Sequence, residues 1–107
     1  MVKKKTPEKL SNVLEKIKEC IDQERYIFSK HSLDRVRERN IDIPTTINVL
    51  LTGYEEKKKT CFDKEKNSWK YAIRGKTDDE LNVRIIVSFN EDGMVVITVM
   101  HILEGVL

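Results

Sequence analysis

Three side chains that are cationic or exchange protons near neutral pH recur every four residues near the middle of the chain: His31, Arg35 and Arg39. On a helix, residues four apart are neighbours on one face, so the three would stand in a row. Like charges at this spacing repel by roughly 0.2–0.5 kcal/mol per pair. The arginine fork matches phosphate oxygens, and histidine moves protons near neutrality. The row therefore predicts a phosphate-binding ridge that includes a proton-transfer group.

Two plainer interpretations of this row stand beside the first. The charges can form an ordinary solvated helix face, on which Asp34 and Glu38 pair with neighbouring arginines. Alternatively, His31 and Arg35 can be structural and bridge the helix to a strand. Burial of both side chains against carboxylates or carbonyl groups would favour such a clamp.

A second set of polar residues falls on predicted strands. Trp69–Arg74 alternates in character, which places Tyr71 on one side and both Lys70 and Arg74 on the other. In the next strand, Arg84 shares its side with polar residues, while the opposite side is apolar throughout. We expect the apolar side to pack on the helices. The side with Arg84, Lys70 and Arg74 would then be open and able to hold an RNA backbone, or would be an ordinary polar outer face.

A histidine and several arginines are the minimum set for cleaving RNA without a metal ion. One group must take the proton of the 2′-hydroxyl, another must protonate the leaving oxygen, and cations must stabilise the phosphorane. His101, at the end of the last predicted strand, is the second histidine of the chain and is expected on the helix side, in alternation with Val95, Ile97 and Val99. The chain has no carboxylate cluster for a metal, no Gly-rich phosphate loop and no GxSxG motif, so we expect neither a metal nor a cofactor.

Composition is consistent with one soluble domain that spans residues 1–107, of which residues 1–6 are expected to be flexible. The net charge is +2, but residues 1–59 hold 14 Lys and Arg against 10 Asp and Glu, so the basic excess lies in the first half. Cys20 and Cys61 lack the spacing of a zinc site, and no apolar run reaches the ~20 residues of a membrane span. We therefore expect a cytoplasmic protein with reduced thiols.

The pattern of elements predicts an α+β domain with two to three N-terminal helices on one face of a four-stranded antiparallel sheet. A first helix is expected over residues 7–24, with Thr6 as its N-cap, and a second follows a cap at Ser29 or Ser32 and closes at Asn40. The run 26–28 is either one strand or an extended connector, and a third helix begins around Pro44 and ends at Gly53. The four strands are expected at Tyr54–Phe62, Trp69–Arg74, Leu81–Phe89 and Met94–Met100.

Five short motifs together resemble a known family. They are His31-x3-Arg35-x2-Glu38-Arg39-Asn-Ile, Leu50-Leu-x-Gly53, Tyr71-x-Ile-x-Gly75, Arg84-Ile-Ile-Val and Val96-Ile-Thr98-Val. This arrangement, over about residues 26–100, resembles a family of small bacterial and phage domains of unknown function. Members of that family are distantly similar to the BrnT and RelE toxins of toxin–antitoxin systems. One departure is Asn40, where the family pattern has Gly, and Asn tolerates the same left-handed backbone.

The resemblance implies a RelE-like or BrnT-like α+β fold and ribonuclease activity on mRNA, neutralised by a cognate antitoxin protein. The polar positions of the family fall on His31, Arg35, Arg39, Tyr71 and Arg84.

The sequence hypothesis is therefore a metal-independent endoribonuclease of a prokaryotic toxin–antitoxin pair. His31, Arg35, Tyr71 and His101 would be catalytic, and the phosphates would be held by Arg39, Lys70, Arg74 and Arg84. The alternative is a non-catalytic module that binds RNA or a protein and in which His31 and Arg35 form the clamp. A third hypothesis is a homodimer that pairs through the edge strand Tyr54–Phe62.

Overall fold

The computed structural model describes residues 6–103, and these form three helices and six strands. The helices are α1 (Val13–Asp22), α2 (Lys30–Glu38) and α3 (Ile43–Thr52). The strands are β1 (Tyr26–Phe28), β2 (Tyr54–Glu55), β3 (Cys61–Asp63), β4 (Ser68–Lys76), β5 (Asn82–Asn90) and β6 (Gly93–His101). No helix within residues 6–103 is long and apolar enough to span a membrane.

Local sequence signals mark both ends of α2 and the start of α3. Ser29 accepts a hydrogen bond from the backbone N–H of Ser32 and so starts α2, and Asn40 follows this helix with a φ of 55°. Asp42 caps α3 in the same way, with Pro44 in its first turn. These local signals confirm the predicted ends of α2 and the start of α3.

The six strands form one mixed sheet in the order β1-β6-β5-β4-β2, with β3 paired to the other half of the same β4 edge. The long strands β4, β5 and β6 are antiparallel, but β1 runs parallel to β6. The α+β class is therefore confirmed, whereas the predicted sheet of four antiparallel strands is wrong. Parallel pairing of β1 with β6 is possible because α2, α3 and four further strands separate them in the chain, so no short hairpin joins them.

One face of the sheet carries the core. Val83, Ile85 and Val87 on β5 are fully buried and share a cluster with Ile17 of α1 and Leu50 of α3. We call this the helix face. The opposite side, the open face, carries partly exposed side chains, including Lys70, Arg74, Arg84, Ile86, Ser88 and Thr98. The two faces of β4 and β5 are as the alternation predicts.

A bulge in β6 changes which of its residues face the helices. Ile86 pairs with Thr98 and Val87 with Val96, so Ile97 is an extra residue on β6. Before the bulge, the buried positions are Met94 and Val96 rather than Val95 and Ile97. The expected alternation is correct from Val99 to His101 and wrong before Ile97, because one inserted residue reverses the side of every residue beyond it.

The N-terminal end of α1 also differs from the sequence prediction. The helix starts at Val13 after an Asn12 cap, rather than at residue 7 after Thr6. The preceding segment instead lies against β4, where Leu10 N–H donates to the hydroxyl of Tyr71 over 2.9 Å and Trp69 Nε1 donates to Pro7 O over 2.9 Å. These distant partners compete with helix formation. Of the stretch expected to be flexible, residues 1–5 lie outside the described residues.

The expected edge strand Tyr54–Phe62 is divided in two. A turn at residues 57–59 separates β2 from β3, and Glu56 N–H donates to Ala72 O over 2.8 Å within this break. Thr60 Oγ1 accepts from Ala72 N–H over 3.2 Å. The segment between β2 and β3 therefore still supplies hydrogen-bond partners to the backbone N–H and C=O of Ala72 on the outer edge of β4.

Candidate functional site on helix α2 and the open sheet face

The residues His31, Arg35 and Arg39, which we call the α2 row, differ in their surroundings along the helix. The side chain of His31 is exposed, and its imidazole makes no hydrogen bond with any of the described residues. The Arg35 side chain is 35% exposed and pairs with Glu38, one turn ahead. Arg39 is half-buried. The accessible part of the row is therefore His31 with Arg35, and these two are not the buried clamp that one sequence interpretation required.

A clamp does exist, but it joins Arg39 to His101. Arg39 Nη1 donates to Val99 O on β6 over 2.8 Å, and His101 Nε2 lies 3.0 Å from Arg39 O at the end of α2. At the other end of this helix, Ser29 Oγ donates to Ile97 O over 3.1 Å. The two accepting carbonyls of β6, Ile97 O and Val99 O, lie beyond the stretch of β6 that pairs with β1. Helix α2 thus supplies donors to a strand edge that β1 does not cover.

The two histidines do not form one catalytic pair in this arrangement. His101 contacts the C-terminal end of α2, eight residues beyond His31. At 1.5 Å per residue, that separation is about 12 Å along the helix axis. His31 therefore lies near the start of the helix, while His101 contacts its end. The prediction that His101 lies on the helix side of the sheet is confirmed, and its hydrogen-bond partner there is Arg39.

On the open face, Glu56 joins the two arginines of adjacent strands. Arg74 and Arg84 are directly paired across β4 and β5, which brings like charges together. Arg84 donates from Nε to Glu56 Oε1 over 2.6 Å and from Nη2 to Glu56 Oε2 over 3.1 Å, while Arg74 Nη1 lies 3.7 Å from Oε2. The hydrogen bonds from Arg84 hold the pKa of the Glu56 carboxyl below its ordinary value of 4.5. In return, they raise the pKa of the Arg84 guanidinium.

The other two nominated residues on β4 point to opposite sides of the sheet. Lys70 is on the open face, with Nζ 3.1 Å from Asp63 Oδ2, and this hydrogen bond is the main cause that lowers the pKa of the Asp63 carboxyl. Tyr71 is on the helix face and only 3% exposed. Burial raises the pKa of its hydroxyl, which accepts the N–H of Leu10. Tyr71 is therefore not next to Lys70, Arg74 or Arg84 as a reacting group.

The nominated residues thus fall into two groups rather than one. His31, Arg35, Arg39 and His101 lie along α2 and the end of β6, while Lys70, Arg74 and Arg84 occupy the open face. The sequence analysis missed Glu56 as the partner of both open-face arginines. The available signal was electrostatic: two arginines on paired strands require a nearby anion.

None of the described residues forms a group of three or more His, Cys, Asp or Glu side chains that could hold a metal ion. Two cavities lie close to the nominated residues. One, of about 270 Å³, lies beneath the N-terminal segment and is lined in part by Trp69, Tyr71 and Phe89. The other, of about 480 Å³, lies where β4 ends and includes Arg74 and Lys76.

Comparison with known families matches residues 28–101 to a domain of unknown function, DUF4258. The chain belongs to the DUF4258 family. The matched region of this DUF4258 domain begins at the end of β1 and reaches the end of β6, so it includes the α2 row, the clamp and the open-face arginines. The resemblance to a family of domains of unknown function is thereby confirmed. Comparison of this DUF4258 domain with curated proteins and with solved structures found no match.

Proposed function

We propose that the protein is a toxin-like endoribonuclease that needs no metal ion, with His31 and Arg35 at the cleavage site. The observation that carries this proposal is the accessibility of His31, whose exposed side chain has no hydrogen-bond partner among residues 6–103 and lies one helical turn from a partly exposed arginine. A side chain that must take a proton from a substrate needs such freedom. The distant similarity to BrnT and RelE toxins that the sequence motifs imply is the basis for proposing mRNA as the substrate class.

The chemistry requires few groups. The imidazole of His31 takes the proton of a ribose 2′-hydroxyl, and the oxygen attacks the adjacent phosphorus. Arg35 stabilises the doubly charged phosphorane with its planar fork of donors. The 5′-oxygen leaves with a proton from water, and a 2′,3′-cyclic phosphate remains. Arg35, which pairs with Glu38 here, would exchange that contact for one with the phosphate.

Arg39 and His101 have a different role in this proposal from the one that the sequence analysis assigned. Each is hydrogen-bonded to backbone at the contact between α2 and β6, so they act as positioning residues that hold His31 and Arg35 on a rigid helix. A firmly placed helix keeps the two reacting side chains in register with each other. We further propose a cytoplasmic location and a cognate antitoxin that covers the exposed flank of α2.

The direct test is cleavage of a 5′-labelled single-stranded RNA by the purified protein in excess chelator. We expect His31→Gln and Arg35→Gln each to lower the cleavage rate about a hundredfold. Arg37→Gln is the matched control, because it removes the same charge from an exposed position on the same helix. A wild-type protein that cuts no RNA, or an Arg37 variant as impaired as the Arg35 variant, would overturn the assignment.

A non-catalytic RNA-binding module is the second candidate function. It is favoured by the engagement of three nominated catalytic or phosphate-binding groups, Arg39, Tyr71 and His101, in bonds that hold the fold together. The same assay separates the two. Retention of RNA in a filter or gel-shift experiment, without cleavage products after long incubation, would support binding alone.

A further inference from the structure

A cavity of about 480 Å³ opens where α3 runs into β2 and where β4 ends. Its volume lies within the range of small-ligand sites. No residue of α2 lines it, so it is separate from the proposed cleavage site. Its walls are formed by Thr52, Gly53, Tyr54, Arg74, Gly75, Lys76 and Asn82.

Two glycines leave backbone rather than side chains along part of this cavity. A Cβ on Gly53 would lie 2.4 Å from Arg74 O, and one on Gly75 would lie 2.9 Å from a side-chain carbon of Val49. Neither position accommodates a side chain without rearrangement. The two glycines therefore let α3 and β4 pack closely beside the cavity.

The polar walls of the cavity are cationic. Arg74 and Lys76 are two residues apart on β4, so they share the open face, and Arg84 lies directly across from Arg74. Asp78 and Asp79 of the β4–β5 turn line a different cavity, together with Asp42. Among the described residues of this side, Glu56 pairs with both Arg84 and Arg74, so one carboxylate stands against the charges of Arg74, Lys76 and Arg84. The cavity therefore favours an anionic ligand.

An exposed aromatic ring stands beside these cations. Tyr54 pairs directly with Arg74 across β2 and β4, which places both side chains on the open face, and Tyr54 is 55% exposed. Proteins that bind single-stranded nucleic acids stack bases on flat rings of this kind, next to cations that attract the phosphates.

We propose that this cavity binds a nucleoside monophosphate unit, with the base on Tyr54 and the phosphate between Arg74 and Lys76. The ligand is either a free nucleotide or the phosphorylated end of an RNA strand, since both present this chemistry. The proposal does not depend on RNA cleavage at α2, because the two sites share no residue.

The test is calorimetric titration of the full chain with adenosine 5′-monophosphate, inorganic phosphate and adenosine. If base and phosphate are both held, the nucleotide binds at least about tenfold more tightly than either part. Lys76→Gln, an exposed change, is expected to weaken nucleotide binding about tenfold through loss of one charge-assisted contact. Tyr54→Leu should abolish the preference for the nucleotide over phosphate, and Tyr54→Phe should keep it.

Lys66→Gln is the matched control, because it removes the same charge from the exposed turn between β3 and β4, at the other end of β4. Equal weakening by the Lys66 and Lys76 variants, or a nucleotide that binds no more tightly than phosphate, would overturn the proposal. A 5′-phosphorylated oligonucleotide that binds tenfold more tightly than the mononucleotide identifies a strand end as the ligand, and equal affinity identifies the free nucleotide. A His31→Gln protein should bind the nucleotide unchanged, which keeps this result independent of cleavage.

Discussion

His101 and Arg39 each hold the backbone at the meeting of α2 and β6. His101 Nε2 lies 3.0 Å from the carbonyl oxygen of Arg39, and Arg39 Nη1 donates to Val99 O over 2.8 Å. A carbonyl oxygen only accepts, so Nε2 must carry a proton in this contact. The strand thus caps the helix end while the helix covers the strand edge. This reciprocal pair sets the position of the exposed part of α2.

Replacement of His101 tests the first half of that contact. We expect His101→Ala to lower the free energy of unfolding by about 1–2 kcal/mol, because Arg39 O loses its partner in a half-buried place. His101→Gln, which keeps an N–H donor, should lose less. Urea denaturation followed by circular dichroism measures both. An alanine variant as stable as the wild type would show that the contact contributes nothing.

Arg39 and Arg35 make a matched comparison on one helix. Arg39→Met keeps the aliphatic stem but leaves Val99 O without its donor, so we expect a loss of about 1–2 kcal/mol. Arg35→Met breaks a pair between Arg35 and Glu38 that is largely exposed, and should cost less than about 0.5 kcal/mol. Thermal and urea unfolding of both proteins measures the difference. Equal losses would contradict the division of the row into a clamp and an accessible part.

Glu56 predicts a pH dependence of stability. Its pKa is lower in the folded state than its ordinary value of 4.5, so the folded protein binds fewer protons than the unfolded chain in this range. The stabilisation is complete above about pH 4.5 and is lost as pH falls through the lowered pKa. Glu56→Gln should therefore be less stable than the wild type at neutral pH and should approach it in acid.

Urea unfolding from pH 7 down to pH 3 measures the Glu56 difference directly. Asp63→Asn is a useful comparison, because the pKa of that carboxyl is also lowered, but through Lys70 rather than the open-face arginines. A stability difference between wild type and Glu56→Gln that stays constant over this pH range would rule out the assigned role of the carboxylate.

Gly53 is required by the close approach of α3 to β4 rather than by its backbone angles. Its φ is −83°, which any residue adopts, but a Cβ would lie 2.4 Å from Arg74 O and 2.8 Å from Val49 O. Gly53→Ala should therefore cost about 1–3 kcal/mol through overpacking. Thr52→Ala, at the exposed neighbouring position, should change stability by less than about 0.5 kcal/mol. Differential scanning calorimetry compares the two.

Tyr71 holds the N-terminal segment through its hydroxyl. Tyr71→Phe removes the acceptor of Leu10 N–H and leaves the ring in the core. The exchange of the Leu10 amide with deuterium should then accelerate roughly fivefold to tenfold, since a net hydrogen bond is worth about 1 kcal/mol. Amide exchange followed by NMR measures this. Unchanged protection of Leu10 would mean that the hydroxyl is not what holds the segment.

The structural roles of residues whose partners are close in the sequence could be predicted from the sequence alone. Ser29, Asp42 and Asn40 mark helix ends because each acts on a backbone group within a few residues. The two faces of β5 follow in the same way from the side-chain period of two, which correctly placed Arg84 on the open face. The class of the fold and the sides of most strands were determined at this level.

Only the tertiary structure decided which distant groups meet. The partner of Arg84 is Glu56, 28 positions away, and the partner of Arg39 is Val99, 60 positions away. Likewise, Leu10 meets Tyr71 over a separation of 61 residues, which overrides the local preference for an earlier helix start. The extra residue Ile97 then reversed the predicted sides of the part of β6 that precedes it, while Val99 and His101 lie as predicted. Local sequence patterns do not predict such contacts, because the residues that make them are distant in the sequence. Their free energy is gained only when the helices and strands pack against one another.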